Sequence, residues 1–216
     1  MRFINSAVTT FLSLLICSSV MSSPCQAQNF TVTNYQFISQ SPVTATQWQV
    51  VYKADLVNGG AVPFASVTGQ LTSLNPFSFR TITGENQLTW APVPANSQVT
   101  SSNTFTILVD RSQPFSFNNL SWTFSETPVA PVANAGASQT VALGGTATLN
   151  GSGSTNPSGI GTLTYAWAFV SRPFGSVTTL AHQDSVNPSF LVDVAGNYLI
   201  NSRSAMALSV TRPPRL

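Results

Sequence analysis

One histidine, six carboxylates and two cysteines are the side chains of this 216-residue sequence best able to do covalent or metal chemistry. His182 and Asp184 stand two positions apart, a spacing that on a strand puts both on one face. A serine beside them would complete a hydrolytic triad. Gly151-Ser152-Gly153 is the most suggestive setting for one, but a nucleophile elbow needs Gly-x-Ser-x-Gly between a strand and a helix. Here the motif lies in the turn-rich run Asn150 to Ser158, where a surface loop is expected. Glycoside hydrolysis needs two carboxyl groups facing each other across roughly 5 to 10 Å. Asp55, Glu85, Asp110, Glu126, Asp184 and Asp193 are scattered instead. Asp55 and Asp110 fall at outward strand positions and read as solvated polar faces, while Asp193 is placed to brace Tyr198. A single histidine is too few for a zinc site. The sequence therefore assigns no catalytic residue, no cofactor and no metal.

Both cysteines, Cys17 and Cys25, lie near the start of the chain. Arg2, the apolar run Phe11 to Cys17 and the small-residue end Cys25-Gln26-Ala27 have the form of a signal peptide over 1–27, cleaved before Gln28. The run is too short to span a bilayer, and Ser18 to Ser23 is too polar for an uncleaved anchor. Lipid attachment at Cys17 would want a small residue before it, and Ile16 is not small. Cleavage removes both thiols, so the mature chain forms neither disulfide nor thiolate site. The expected destination is outside the cytoplasm, secreted or in the cell envelope, in a bacterial rather than a eukaryotic setting. The sequons at Asn29, Asn119 and Asn150 matter only in the latter. With 8 basic against 6 acidic residues, no charge excess points to nucleic acid or an anionic membrane.

Polar-apolar alternation dominates the rest, and no stretch carries a helical period. Trp48, Val50, Tyr52, Ala54 and Leu56 alternate with polar neighbours and end at the turn Asn58-Gly59-Gly60. With Thr31–Ile38, Val67–Thr72, Phe77–Ile82, Gln87–Trp90, Thr104–Asp110 and Leu120–Ser125 this predicts about seven strands over 28–126, the number of an immunoglobulin-like β-sandwich. Trp48, Trp122 and Trp167 lie in phase with apolar residues and are expected in cores, each burying a large area. Trp90, followed by Ala91-Pro92 at a turn, is the ring that could stand at the surface and stack on sugar. Residues 127–131 form a proline-containing linker.

Beyond it, Leu163, Tyr165, Trp167 and Phe169 alternate with Thr164, Ala166 and Ala168, and Asp193 to Tyr198 has the form of a tyrosine corner. The ordered series PVANAG (131–136), Gln139-x-Val141-x-Leu143-Gly144, LNGSGS (149–154), LTYAWAF (163–169), Pro173 with Gly175-Ser176, Asn187-Pro188 and AGNY (195–198) resembles the PKD-like domains of secreted and surface proteins, over about 129–211. The match of 28–126 to bacterial extracellular immunoglobulin-like domains is looser, resting on its strand pattern and on VPANS (93–97) and TFTILVDR (104–111). The resemblance implies two tandem β-sandwiches whose role is spacing, display or docking. Some relatives bind calcium through an aspartate-rich loop, but Asn150 to Ser158 offers no carboxylate for an ion that wants roughly six to eight oxygens with charge among them. After Ile200 the apolar alternation fails. The final strands of 132–216 are thus expected to be degenerate, or the chain to be a truncated or frame-altered version of a longer one.

The expectation is an exported, non-enzymatic adhesive, structural or spacer protein whose partner is an extracellular protein or polysaccharide. The alternative is a carbohydrate-binding accessory to a secreted hydrolase, with Trp90 as platform.

Overall fold

The computed structural model describes residues 29–207, with side chains as far as Ser202. The expected signal peptide, both cysteines and the segment after Ala207 lie outside the described residues. The described chain is all-β and antiparallel, with a single turn of 3-10 helix. No helix among the described residues is long and apolar enough to cross a membrane. The chain divides between Pro128 and Val129 into two compact units.

The first unit contains β1 (Phe30–Pro42), β2 (Gln47–Asn58), β3 (Phe64–Ser73), β4 (Phe79–Thr81), β5 (Gln87–Trp90), β6 (Ser97–Thr100), β7 (Phe105–Asp110) and β8 (Leu120–Pro128). One sheet runs β1-β2-β7-β4, with β6 also paired to β2; the other runs β5-β3-β8. Alternation dictates which side chains turn inward. Phe105, Ile107 and Val109 of β7 are buried, as are Val67 and Leu71 of β3 and Leu88 and Trp90 of β5. Rings from the two sheets meet edge to face: Phe105 and Trp122 at 5.3 Å between centroids, Phe30 and Phe64 at 5.6 Å. Such pairs add about 0.5–1.5 kcal/mol each beyond the area they bury.

The core explains a glycine inside β3. A Cβ on Gly69 would lie 2.9 Å from Cζ3 of Trp90 and 3.1 Å from Cε3 of Trp122. Both indoles cross the backbone there, so no larger residue fits without displacing one.

Several sequence expectations are corrected here. Trp90 is fully buried, its Nε1 donating to the carbonyl oxygen of Ala54 at 3.0 Å; Ala91-Pro92 ends β5 without turning the ring outward. Trp48 keeps the inward phase of β2 but sits at the strand's end, only half-buried, with the Arg111 guanidinium 3.8 Å above its ring. Trp122 is half-buried too, and its Nε1 donates to the Tyr35 hydroxyl at 3.0 Å. An eighth strand, β6, pairs Ser97–Thr100 with Asn58–Asp55. Thr127 and Pro128, placed in the linker from sequence, belong to β8 and pair with Ser66 and Phe64. Proline is tolerated because β8 is an edge strand.

The second unit is built from β9 (Thr146–Thr148), β10 (Thr162–Ser171), β11 (Ser189–Leu191) and β12 (Leu199–Ala207). They form two two-stranded sheets, β10-β12 and β9-β11. Trp167 is buried, its Nε1 donating to the Ser185 carbonyl at 2.9 Å. Ala147, Phe190 and Val192 form a small core against which Phe169, Tyr198 and Ile200 pack. Tyr198 joins rings from both sheets, at 6.2 Å from Phe169 and 5.1 Å from Phe190. The half-buried Tyr198 hydroxyl lies 2.8 Å from the Val194 carbonyl oxygen and 2.8 Å from Asp193 Oδ1, and accepts from the Val194 amide at 3.1 Å.

Within the described residues a strand continues past Ile200, where the apolar alternation fails. β12 runs to Ala207, in register with β10 from Ser171↔Leu199 to Thr162↔Ala207. Backbone pairing needs no apolar side chain, and register opposes the small Ser202 to Trp167, where directly opposed residues share a face and a large residue would crowd the indole.

Candidate functional site

The residues first considered for chemistry are not drawn together. His182 lies on an exposed turn at φ 55°, its carbonyl accepting from Ser185 N at 2.9 Å, with Asp184 exposed on the same turn rather than on a strand face. Among the described residues no group of three or more His, Cys, Asp or Glu side chains could hold a metal ion.

Asp55 departs furthest from its sequence reading. It is on the outward side of β2, yet only 5 % exposed. A bulge in β1, with Asn34 at φ 48°, brings Asn34 Nδ2 and Gln36 Nε2 to its oxygens at 2.7 and 3.2 Å. From β6 come Gln98 Nε2 and Thr100 Oγ1, both at 2.7 Å. Burial pushes its pKa up, but the bonds from Asn34, Thr100 and Gln98 outweigh that and hold it below the ordinary carboxylate value. Four donors surround one charge, which marks this as a structural carboxylate bridging three strands.

A built surface lies elsewhere on the same sheet. Register places Gln47 opposite Asp110 and Arg80 opposite Leu108, all on the outward face. Together with Pro76, Phe77 and Gln113 from flanking loops they line a cleft of about 310 Å³. Phe77 is 81 % exposed. Its loop is not slack. The Asn75 carbonyl accepts from Ser78 N and Phe79 N at 3.2 and 3.3 Å, and Asn75 Oδ1 accepts from Phe77 N at 3.2 Å. Ser73 Oγ receives the Asn75 amide at 3.2 Å and donates to the Phe79 carbonyl at 3.1 Å. Ser78, buried, ties the turn to β7 by accepting from Asp110 N at 3.0 Å. On the far wall Asp110 Oδ1 accepts from Ser112 Oγ and N at 2.7 and 2.9 Å. The Ser112 hydroxyl first, then its amide, lowers the Asp110 pKa, so the group is ionised at neutral pH.

The sequence reading placed Phe77 inside a strand. The strand starts two residues later, at Phe79, and the signal for that was Asn75-Pro76, a dipeptide that marks a turn.

The second unit presents a comparable ring. Phe174 is fully exposed at the tip of the turn Pro173 to Ser176, where Ser176 N donates to the Pro173 carbonyl at 3.0 Å and Gly175 takes φ 87°. That left-handed angle at the third position is the mark of a type II turn. Asp193 anchors it, accepting from Ser176 Oγ at 2.6 Å and Val177 N at 2.8 Å. The same unit has a wider cavity of about 720 Å³ over Trp167, Phe190, Val192, Tyr198 and Ile200, bordered by the segment 135–141.

Comparison of the chain with family models, with curated proteins and with solved structures found no match in any of the three.

Proposed function

We propose that this chain is an exported, non-enzymatic contact protein. In it two immunoglobulin-like β-sandwich modules, the second PKD-like, serve as adhesive or spacing elements toward an extracellular protein or glycan. The observation that carries this is the presentation of Phe77 and Phe174 to solvent on turns fastened by several hydrogen bonds each. A large exposed ring contributes nothing to the core, and fixing it in place lowers the entropy cost of binding something to it. Exposed aromatics so held mark contact sites. Val170, Leu191 and Leu199, each more than half exposed on strands of the second unit, add apolar surface of the same kind.

The accessory carbohydrate-binding reading keeps a specific support of its own, the polar cleft beside Phe77. In it the stacking ring is Phe77, since Trp90 is buried.

The test is retention of the labelled chain on bacterial envelopes, extracellular protein and extracellular polysaccharide. Saturable retention on one of these is expected, falling about tenfold or more in the variant carrying both Phe77→Ala and Phe174→Ala. Equal retention of that variant and the unmodified chain would overturn the contact function.

A further inference from the structure

The cleft on the outward face of the first unit has a composition that selects among ligands. Its ring, Phe77, stands at one side; its floor is Leu108; around them are Gln47, Arg80, Asp110 and Gln113. Strand spacing sets the geometry of the polar groups. Arg80 and Asp110 are diagonal neighbours across β4 and β7, whose backbones are about 7–8 Å apart at such positions. Gln47 and Arg80 flank β7 from either side, two strand spacings apart and offset by two residues along it, which puts their backbones about 12 Å apart. The cleft thus sets Phe77, Pro76 and Leu108 among two amides and a guanidinium, planar groups that can meet a pair of adjacent hydroxyls with two parallel bonds, and the Asp110 carboxylate, whose Oδ1 is held by Ser112 and whose other oxygen can accept.

We infer that this cleft binds a neutral glycan, with one pyranose ring laid by its C–H face on Phe77 and its hydroxyls held by Asp110, Arg80 and the two glutamines. This rests on the contact function proposed above and names the ligand of that surface. Three features favour a sugar over a peptide. Amides that donate and accept equally suit hydroxyls, which do the same. The apolar lining, Pro76, Phe77 and Leu108, is bounded by polar groups, whereas a peptide-binding site needs pockets for successive side chains. The volume, near the lower end of the roughly 300–1,000 Å³ of ligand cavities, suits one or two rings. Neutrality follows from charge: Arg80 and Asp110 offset each other, so a uronate or sulphate would gain one partner and meet one repelling carboxylate.

The experiment is calorimetric titration of the full chain with cello-, manno- and chito-oligosaccharides, with oligogalacturonate and a sulphated oligosaccharide as the charged set. The variants are Phe77→Ala, Phe77→Trp, Arg80→Ala and Gln113→Ala. All three sites, Phe77, Arg80 and Gln113, are exposed, so the variants should fold, and thermal unfolding checks this. Expected is binding of at least one neutral oligosaccharide. Phe77→Ala weakens it tenfold or more, Phe77→Trp restores or tightens it, and Arg80→Ala and Gln113→Ala each weaken it several-fold. Binding confined to the charged set, binding indifferent to Phe77, or no binding of any oligosaccharide overturns the assignment. If any of these accompanies Phe-dependent retention on envelope or extracellular protein, the contact function stands and only the glycan fails. If retention is indifferent to both rings, both fail.

Discussion

Trp90 and Ala54 are joined across the first unit by one hydrogen bond, the indole Nε1 donating to the backbone carbonyl at 3.0 Å. It links β5 of one sheet to β2 of the other at a point where neither residue meets solvent. A buried indole needs a partner for its N–H, and the inter-sheet space supplies one.

Trp90→Ala should therefore cost about 3–5 kcal/mol of unfolding free energy, the range for deleting a large buried ring. Trp90→Phe should cost less, leaving a smaller void and one carbonyl without its indole partner. Urea titrations of both variants measure this. A loss below about 1 kcal/mol for Trp90→Ala would show the ring to be a surface feature after all.

Gly69→Ala should cost about 1–3 kcal/mol, since the added methyl meets Trp90 and Trp122 together. The intrinsic preference of a strand for alanine over glycine acts the other way and is smaller. A neutral or stabilising outcome in thermal unfolding would contradict the packing described.

Asp55 gives the first unit a defined response to acid. Its folded pKa is depressed, so its contribution is present above the unfolded value of about 3.9 and is lost as pH falls through the folded value. Asp55→Ala should cost about 2 kcal/mol at neutral pH, because it strands donors from Asn34, Gln98 and Thr100. The variant's stability should then fall less steeply than the unmodified protein's below pH about 4. Parallel curves would show that Asp55 titrates in the folded protein as it does unfolded.

In the second unit the acid response runs further down. Hydrogen bonds from Ser176 first, then from the Val177 amide and Tyr198, hold Asp193 at about 2. Its contribution is complete above the ordinary carboxylate value, shrinks as pH falls below about 4, and is gone as pH falls through about 2. Tyr198→Phe, which deletes the hydroxyl shared with Val194, should cost about 1 kcal/mol. Near-ultraviolet circular dichroism against pH tests both, and a transition of the second unit centred above pH about 4 would contradict the Asp193 assignment.

Periodicity made the strand class legible, together with most strand positions and the inward phase of Trp122 and Trp167. It failed where a residue's setting depends on distant chain. Trp90 sits beside a proline and looks peripheral from its neighbours, but β2 and β8 close over it. Asp55 occupies an outward position as expected, and only a bulge in β1 and the polar strand β6 cover it. β6 itself, Ser-Gln-Val-Thr, carries too little apolar contrast to stand out. The failing alternation beyond Ile200 reflects which side chains face a core; it does not govern whether the backbone pairs. The Phe77 cleft joins loops and strands scattered from Gln47 to Gln113, and no local pattern records that.

The backbone pairing of β12 is open to amide hydrogen exchange. Alternate amides from Leu199 to Ala207 that face β10 should exchange slowly, in step with their partners on β10. Exchange at peptide rates beyond Ile200 would show the strand to be unformed there.

Contact through presented rings is tested most directly by amide NMR on the full chain, recorded while the retained envelope fraction or a bound oligosaccharide is added. The shifts should concentrate on Phe77 to Arg80, Leu108 to Gln113 and Gln47, with a second group around Phe174 if that turn shares the ligand, while Trp90 and Ala54 stay still. Shifts gathered instead around His182 and Asp184, or spread through the buried cores with none at either phenylalanine, would contradict it.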